Sequence, residues 1–272
     1  MHFVRVSDTG RALSGPAPGD KCPCDSRDVP DEYSGFFGED VASRYDDDSA
    51  MFDPAVVDPV VDVLAELAGD GRALELAVGT GRIALPLAAR GVPVAGIDDS
   101  PAMIQRLRAK PGGDEIDIAI GDFSTTRIPG EFGVVYLVFN TIFNLVTQDA
   151  QVACFENAAA HLRPGGTFAI ETGVPALQDL PRGQSIIPFR AAPDGISFDV
   201  YDIATQRASS QHFNFVDGRV KSFPVEFRYA WPAELDLMAR IAGLRLRNRW
   251  AGWKREAFTA LSESHVSVYE KR

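Results

Sequence analysis

Arg72-Ala-Leu-Glu-Leu-Ala-Val-Gly-Thr-Gly-Arg82 is the stretch on which the fold turns. An apolar run ends abruptly in Gly-Thr-Gly and resumes at helical spacing with Ile83, Leu87 and Ala88, the pattern of a buried parallel strand turning sharply into a helix. Gly79 and Gly81 permit backbone dihedrals closed to other residues, and without a Cβ they let a ligand lie against the main chain at the carboxyl end of the strand. The pyrophosphate pattern G-x-G-x-x-G is incomplete, because Ala77 and Leu85 stand where flanking glycines would be. The turn therefore suits a nucleotide-like ligand without a demand for phosphate.

Asp98 ends a second apolar segment, Pro93 to Ile97, about 20 residues beyond the glycine turn. A carboxylate at that neighbouring strand tip can accept bonds from both hydroxyls of a ribose. A third tip follows the strand pattern Ile116 to Ile120 at Gly121-Asp122-Phe123, where an acceptor and an aromatic ring would flank a base. Glycine turn and ribose acid together point to an adenosine-type ligand.

Glu75-Leu-Ala-Val-Gly-Thr-Gly81, Gly96-Ile-Asp-Asp-Ser-Pro-Ala-Met103, Gly121-Asp-Phe123 and Leu162-Arg-Pro-Gly-Gly166 resemble, in order and near spacing, the class I S-adenosylmethionine-dependent methyltransferases. The resemblance covers roughly residues 40 to 172. It implies that Gly79, Thr80 and Gly81, with Arg82 next to them, pack against the methionine part and that Glu75 organises the loop near its amino group. It likewise implies that Asp98, with Asp99 and Met103 behind it, holds the ribose, and that Asp122 and Phe123 face the adenine. Phe139, Asn140 and Phe143 follow the fourth strand at its tip, a place for contact with cofactor or acceptor. Two positions depart from the family pattern: Ala77 replaces the first glycine often seen there, and Gly133 stands where the fourth strand usually begins with an acid.

Alternating segments predict a doubly wound, mainly parallel Rossmann-like sheet: strand 73–78, helix 80–90, strand 92–97, helix 101–109, strands 116–120 and 133–139, helix 149–162, strand 167–171. Ser100-Pro101 reads as an N-cap followed by proline at the first helical position, Pro164-Gly165-Gly166 as a stop, and Pro86 as a bend in its helix. Ahead of these, Tyr33, Phe36, Phe37, Val41 and Tyr45 suggest a short amphipathic helix, which in the family lies over the cofactor. Val56, Val60, Val63, Leu64 and Leu67 form one helical face closed by Gly69. Residues 174–229 switch to extended segments with Asp217-Gly218 between two runs, a strong hairpin signal that would set His212 opposite Phe223 and Phe213 opposite Ser222. Its aromatic residues Phe198, Tyr201, Phe213, Phe215, Phe223 and Phe227 suggest a wall for a small organic acceptor, with a homodimer contact as the competing use. The helix opened by Pro232 and the strands Leu244 to Trp250 and His265 to Tyr269 complete a seven-stranded sheet in the family, the last strand antiparallel.

The net charge of −11 repels phosphate backbones, so nucleic acid is not an expected partner. Arg240, Arg245, Arg247, Arg249 and Lys254 read as a solvated face. Neither a membrane span nor a signal-type segment is present in the sequence, which predicts a cytoplasmic protein. Residues 1–30 have the composition of a flexible arm ahead of a domain running 31–272. Cys22 and Cys24 lack further ligands at zinc-site spacing, so no metal is expected.

Methyl transfer from a sulfonium needs alignment more than acid–base machinery, with a base only where the acceptor must lose a proton. His212 and Tyr45 are the candidates, with Glu171 at the fifth strand tip a third. A lone histidine in a hairpin more often packs, a tyrosine in the cover more often contacts the cofactor, and Glu171 serves equally well as a cap of the next turn. His161, at a helix end, is accounted for by the helix dipole, and His265 by packing. The expected function is methylation of a small molecule at nitrogen or oxygen, as in bacterial methyltransferases of secondary metabolism. A nicotinamide-dependent oxidoreductase and a catalytically silent cofactor-binding protein are the alternatives.

Overall fold

The computed structural model describes residues 39–46, 49–216 and 218–272. The arm 1–30 and the domain start at 31, with Cys22, Cys24, Tyr33, Phe36 and Phe37, lie outside them, as does the side chain of Val41. Helix α1 (Glu39–Tyr45) is followed by α2 (Pro54–Ala68). The Asp53 side chain accepts from the Ala55 N–H and caps α2, and Gly69 at φ 58° ends it. The buried face of α2 is Val57, Val60, Val61, Val63, Leu64 and Ala68, whereas Val56 is exposed. Val57 and Val61 thus join Val60, Val63 and Leu64 on the buried face, in the place expected of Val56.

The first half of the sheet comprises β1 (Arg72–Leu76), β2 (Val94–Asp98) and β3 (Asp117–Ile120), joined by α3 (Ala84–Ala89) and α4 (Pro101–Arg108). Then come β4 (Phe132–Leu137), α5 (Gln148–His161) and β5 (Leu162–Gly173). After an excursion through β6 (Ile186–Ala192), β7 (Gly195–Asp202), β8 (Arg207–Val216) and β9 (Arg219–Arg228), the chain returns with α6 (Pro232–Ile241), β10 (Leu244–Trp250) and β11 (Ser264–Lys271).

The main sheet has the order β10-β11-β5-β4-β1-β2-β3, with β1 to β5 parallel and β11 antiparallel to both β5 and β10. The chain runs outward from β1 to β3 and then restarts on the other side of β1 with β4. That reversal opens a crevice at the carboxyl ends of β1 and β4, where open α/β sheets bind ligands. Both faces are covered. On one face, Leu74, Leu76, Ile97, Phe155, Phe168 and Tyr269 pack with Leu235 and Met238 of α6; on the other, Val61, Leu64, Leu87, Leu107, Tyr136 and Val268 meet α2, α3 and α4. Burial on both sides explains why the central strands read as continuous apolar runs.

Three local expectations change. The helix predicted over 80–90 spans only Ala84–Ala89, because the glycine turn occupies 79–83; Pro86 consequently sits in the first turn, where an amide would lack an intrahelical partner anyway, and breaks nothing. Pro164-Gly165-Gly166 is not a stop between helix and strand. It lies within β5, which already pairs at Leu162 with Phe132, and the register shifts across it. Gly133 is accounted for by packing: a Cβ there would come within 2.5 Å of the Ala68 carbonyl oxygen at the end of α2.

The excursion forms a separate antiparallel sheet in the order β6-β7-β8-β9. His212 pairs with Phe223 and Phe213 with Ser222, the register expected of a two-residue turn. One face carries Ser197, Asp199, Tyr201, Ser210, His212, Val225 and Phe227; the opposite face carries Phe198 and Phe213, stacked at 5.9 Å, with exposed Ile186, Ile196 and Phe215. No described helix is long and apolar enough to cross a membrane.

Candidate active site

The crevice begins at the glycine turn. Ala77 takes φ 56°, a left-handed conformation that normally calls for glycine, so the alanine noted in the sequence occupies a glycine's backbone geometry under strain. Gly79, at φ 54°, has nothing within 4 Å of where a Cβ would stand, which leaves its face open to the crevice. Gly81 differs. Its Cβ would lie 3.0 Å from both Leu85 and Leu107, so its glycine requirement is internal packing rather than ligand approach. Gly96 belongs to the same construction, since a Cβ there would sit 2.7 Å from Val78.

Asp98, 7% exposed at the tip of β2, accepts from the Gly79 N–H at 2.7 Å and the Ser100 N–H at 2.9 Å. Burial nevertheless raises its pKa above the usual carboxylate value, outweighing those two bonds. Ser100 caps α4 by accepting from the Met103 N–H, and the Met103 side chain is buried. Asp99 is exposed; partial desolvation, then the charge of Asp122, raise its pKa. Asp122 is also exposed and caps its own turn through the Ser124 N–H, while Phe123 is half-buried against the core.

Glu75 is 3% exposed in the middle of the sheet, and register places it opposite Tyr136 of β4, whose hydroxyl donates to Oε2 at 3.1 Å. Burial pushes the Glu75 pKa up to about 8 despite that bond and the nearby Arg82 guanidinium. Tyr136 was invisible in the motif reading; its signal is the parallel register of β1 with β4. Tyr45 at the end of α1 is partly buried among the charges of Arg82, Glu75 and Asp98, and burial raises its pKa, which sets its hydroxyl against service as a base. α1 is tied down by Asp46, which accepts from the Thr80 hydroxyl at 2.7 Å and pairs with Lys110 at 2.7 Å. Thr80 therefore spends its side chain on the cover.

The tip of β4 holds a feature that no motif announced. Phe139 and Asn140 both take φ 60°, and this kink is fastened to β5: the Phe139 N–H donates to Glu171 Oε2 at 2.9 Å and the Gly173 N–H donates to Asn140 Oδ1. Glu171 is thereby a cap. Phe139 is half-exposed, with the Arg82 guanidinium 4.9 Å from its ring centre.

Phe139, Asn140 and Phe143 line one wall of a cleft of about 440 Å³; Asp199, Tyr201, Ser210, Val225, Phe227 and Tyr229 of the second sheet and its exit line the other. His212 does not line it. It lies one ladder row away on the same face, sandwiched between Phe223 (stacked at 4.8 Å) and Phe189, with Ser197 Oγ 3.2 Å from Nδ1 and its pKa lowered by burial. The packing explanation therefore fits it better than catalysis. Of the six aromatic residues expected to wall a pocket, Tyr201 and Phe227 do so; Phe223 shares their face but stacks on His212 outside the lining, and Phe198, Phe213 and Phe215 point the other way.

The other two histidines among the described residues are structural. His161 is buried, Nε2 accepting from the Ile128 N–H while Nδ1 faces the Asn157 carbonyl, and burial lowers its pKa. A neutral, hydrogen-bonded ring replaces the dipole interaction expected of it, which would need the charged form. His265, buried between Thr172 and Ser267, has a pKa lowered to about 4. Among the described residues no group of His, Cys, Asp and Glu is arranged to hold a metal ion.

With this geometry in place, the comparisons are specific. Residues 73–166 match the family model described as a methyltransferase domain. The solved structure of the CcbJ methyltransferase from Streptomyces caelestis is 36% identical, covering 88% of this chain and 98% of that one, with a TM-score of 0.76. The chain belongs to the S-adenosylmethionine-dependent methyltransferases. The cypemycin N-terminal methyltransferase of a Streptomyces species is 29% identical to this methyltransferase over 244 residues, 87% of this chain and 98% of that one. The S-adenosylmethionine-bound amino pentose methyltransferase CalS10 from Micromonospora echinaspora, 20% identical with a TM-score of 0.60 and covering 79% and 90% of the two chains, shares the fold. The oxidoreductase alternative is excluded by this membership, and S-adenosylmethionine is the cofactor.

Proposed function

We propose that this methyltransferase methylates a nitrogen or oxygen of a small organic acceptor seated in the cleft between the tip of β4 and the inner face of the second sheet. The observation that carries the reading is the position of that cleft. Phe139 lines it and lies under Arg82 of the glycine turn, so acceptor and cofactor sites share one boundary. The volume of about 440 Å³ falls within the range of small-molecule sites, and the lining is mostly aromatic and aliphatic.

The crevice fits the cofactor. Gly79 leaves open space where a side chain would project, and Asp98 has two of about four acceptor positions engaged by backbone N–H groups, leaving the rest for ribose hydroxyls. The hydrogen-bonded pair Glu75 and Tyr136 and the half-buried Tyr45, close to Arg82, Glu75 and Asp98, are the polar groups that would meet the methionine part. When bound, S-adenosylmethionine supplies an electrophilic methyl group on a sulfonium, with a neutral thioether as leaving group. The protein's share is to hold the acceptor against that boundary and keep water out, through Phe139, Phe143, Phe227 and Tyr229.

The test is methyl transfer from labelled S-adenosylmethionine to a panel of small amines and alcohols, with cofactor affinity measured by calorimetry. Phe227→Ala should impair transfer and leave cofactor affinity unchanged, whereas Asp98→Ala should abolish cofactor binding. Full transfer by a folded Phe227→Ala protein would remove the cleft from the acceptor's path.

A further inference from the structure

Resting on the functional reading above, we propose that Asp199 is the counter-ion for a protonated amine of the acceptor, which makes the substrate class a small organic amine rather than a neutral alcohol or an acid. Asp199 stands in the middle of the β7 wall of the cleft, half-buried. Its hydrogen-bond partners are hydroxyls: Tyr201 donates to Oδ2 at 3.1 Å and Ser210 donates to Oδ1. Both donate through O–H, which engages two of the carboxylate's acceptor positions and leaves about two open. Among the described residues no Arg or Lys pairs with it. Three other acids near the second sheet have a cationic partner, Asp194 in Arg190, Glu226 in Arg207 and Glu234 in Arg228, while Asp202 at the far end of β7 is held by the Ala204 N–H and the Thr205 hydroxyl.

A carboxylate in a mostly apolar cleft costs desolvation energy unless a cation meets it. The rest of the lining suits that cation. Phe139, Phe143, Tyr201, Phe227 and Tyr229 present five aromatic rings to the same space, and a ring face attracts an alkylammonium group. The protein's net charge of −11 would draw a cationic acceptor toward the cleft and repel an anionic one.

The assignment is tested on the full-length protein by ligand-observed NMR titration with three probes of matched size: 2-phenylethylamine, benzyltrimethylammonium and 2-phenylethanol. The two cations should bind in preference to the alcohol, the quaternary one included, because charge rather than proton donation is being read. Asp199→Asn, which keeps shape and hydrogen-bond reach, should weaken both cations about tenfold or more and leave the alcohol unchanged. Ser210→Ala, which removes a hydroxyl but keeps the carboxylate, should retain the preference for cations. Equal binding of alcohol and cations, cation affinity indifferent to Asp199→Asn, or no cation binding up to the solubility limit would each overturn it. Cofactor affinity measured on the same proteins separates the two levels: a failed cation preference beside intact cofactor binding overturns this assignment alone, while absent cofactor binding overturns the functional reading and the assignment with it.

Discussion

Glu75→Gln should make this methyltransferase more stable at high pH while changing little at low pH. In the folded chain the carboxyl is buried and its pKa stands at about 8 against an ordinary 4.5, desolvation being the largest cause. The sign follows from which state holds the proton. Below 4.5 both folded and unfolded chains are protonated and the site carries no penalty. As the pH rises from 4.5 toward 8, the unfolded chain ionises while the folded chain keeps its proton, so stability drains away at about 1.4 kcal/mol per pH unit. The loss accumulated by about pH 8.5 is on the order of 4–5 kcal/mol. Glutamine is isosteric, still accepts from the Tyr136 hydroxyl and does not titrate. Urea unfolding of the cofactor-free proteins at about pH 5 and pH 8.5, with the difference taken between variant and wild type at each pH, cancels the other groups. The variant should match the wild type within about 1 kcal/mol at the lower pH and exceed it by several at the higher. A difference that is the same at both values would show that Glu75 is ionised in the folded state, with Arg82 compensating its burial in full.

His265 behaves in the opposite sense. With its folded pKa near 4 and an ordinary 6.5, it withholds a proton that the unfolded chain takes up, so stability is lost as the pH falls; His265→Gln should spare about 3 kcal/mol of that loss, read from urea midpoints at about pH 4 and pH 7. Ala77→Gly should raise the unfolding midpoint, equivalent to about 1 kcal/mol, because φ 56° penalises a Cβ more than glycine's extra chain entropy costs; a lower midpoint would mean that the Ala77 methyl contributes packing worth more than the strain. Arg228→Ala should destabilise by about 3 kcal/mol in thermal or urea unfolding, since it strips Glu234 of a 2.7 Å partner in a setting where both side chains are nearly buried.

The cofactor half was legible because its chemistry depends on the backbone. A glycine turn, an acid ending the next strand and a Ser100-Pro101 cap are all local in sequence, and each sits in the structure where its spacing placed it. The hairpin register was legible for a similar reason, since a two-residue turn fixes every pair behind it. What escaped depends on distance or on strain. Tyr136 meets Glu75 across 61 residues, and nothing near either position announces the other. The paired left-handed residues Phe139 and Asn140 are held by bonds from β5 more than 30 residues away, which no local propensity encodes. The face of the second sheet that lines the cleft could not be chosen either, because aromatic residues occupy both faces and only the docking of the sheet decides between Phe213 and Phe227.

The second sheet leaves the main one after Gly173 and returns to it at Pro232, and the return is bound at one place. Arg228 donates to Gln151 of α5 and to Glu234 of α6; Gln206, at the β7–β8 turn, donates to the Tyr229 carbonyl and to Glu234. Nothing in this clasp touches the glycine turn, Asp98 or the capped start of α4. On the proposed function, acceptor recognition is carried by a cassette whose return to the main sheet is held by this one polar clasp. Drift or grafting within residues 174–229 can rewrite the acceptor wall while the cofactor crevice stays as it is, provided that Arg228, Gln206 and their partners travel together. An exchange that cut through this clasp would instead leave Arg228 and Glu234 nearly buried without their counter-charges, and would register first as misfolding rather than as altered specificity.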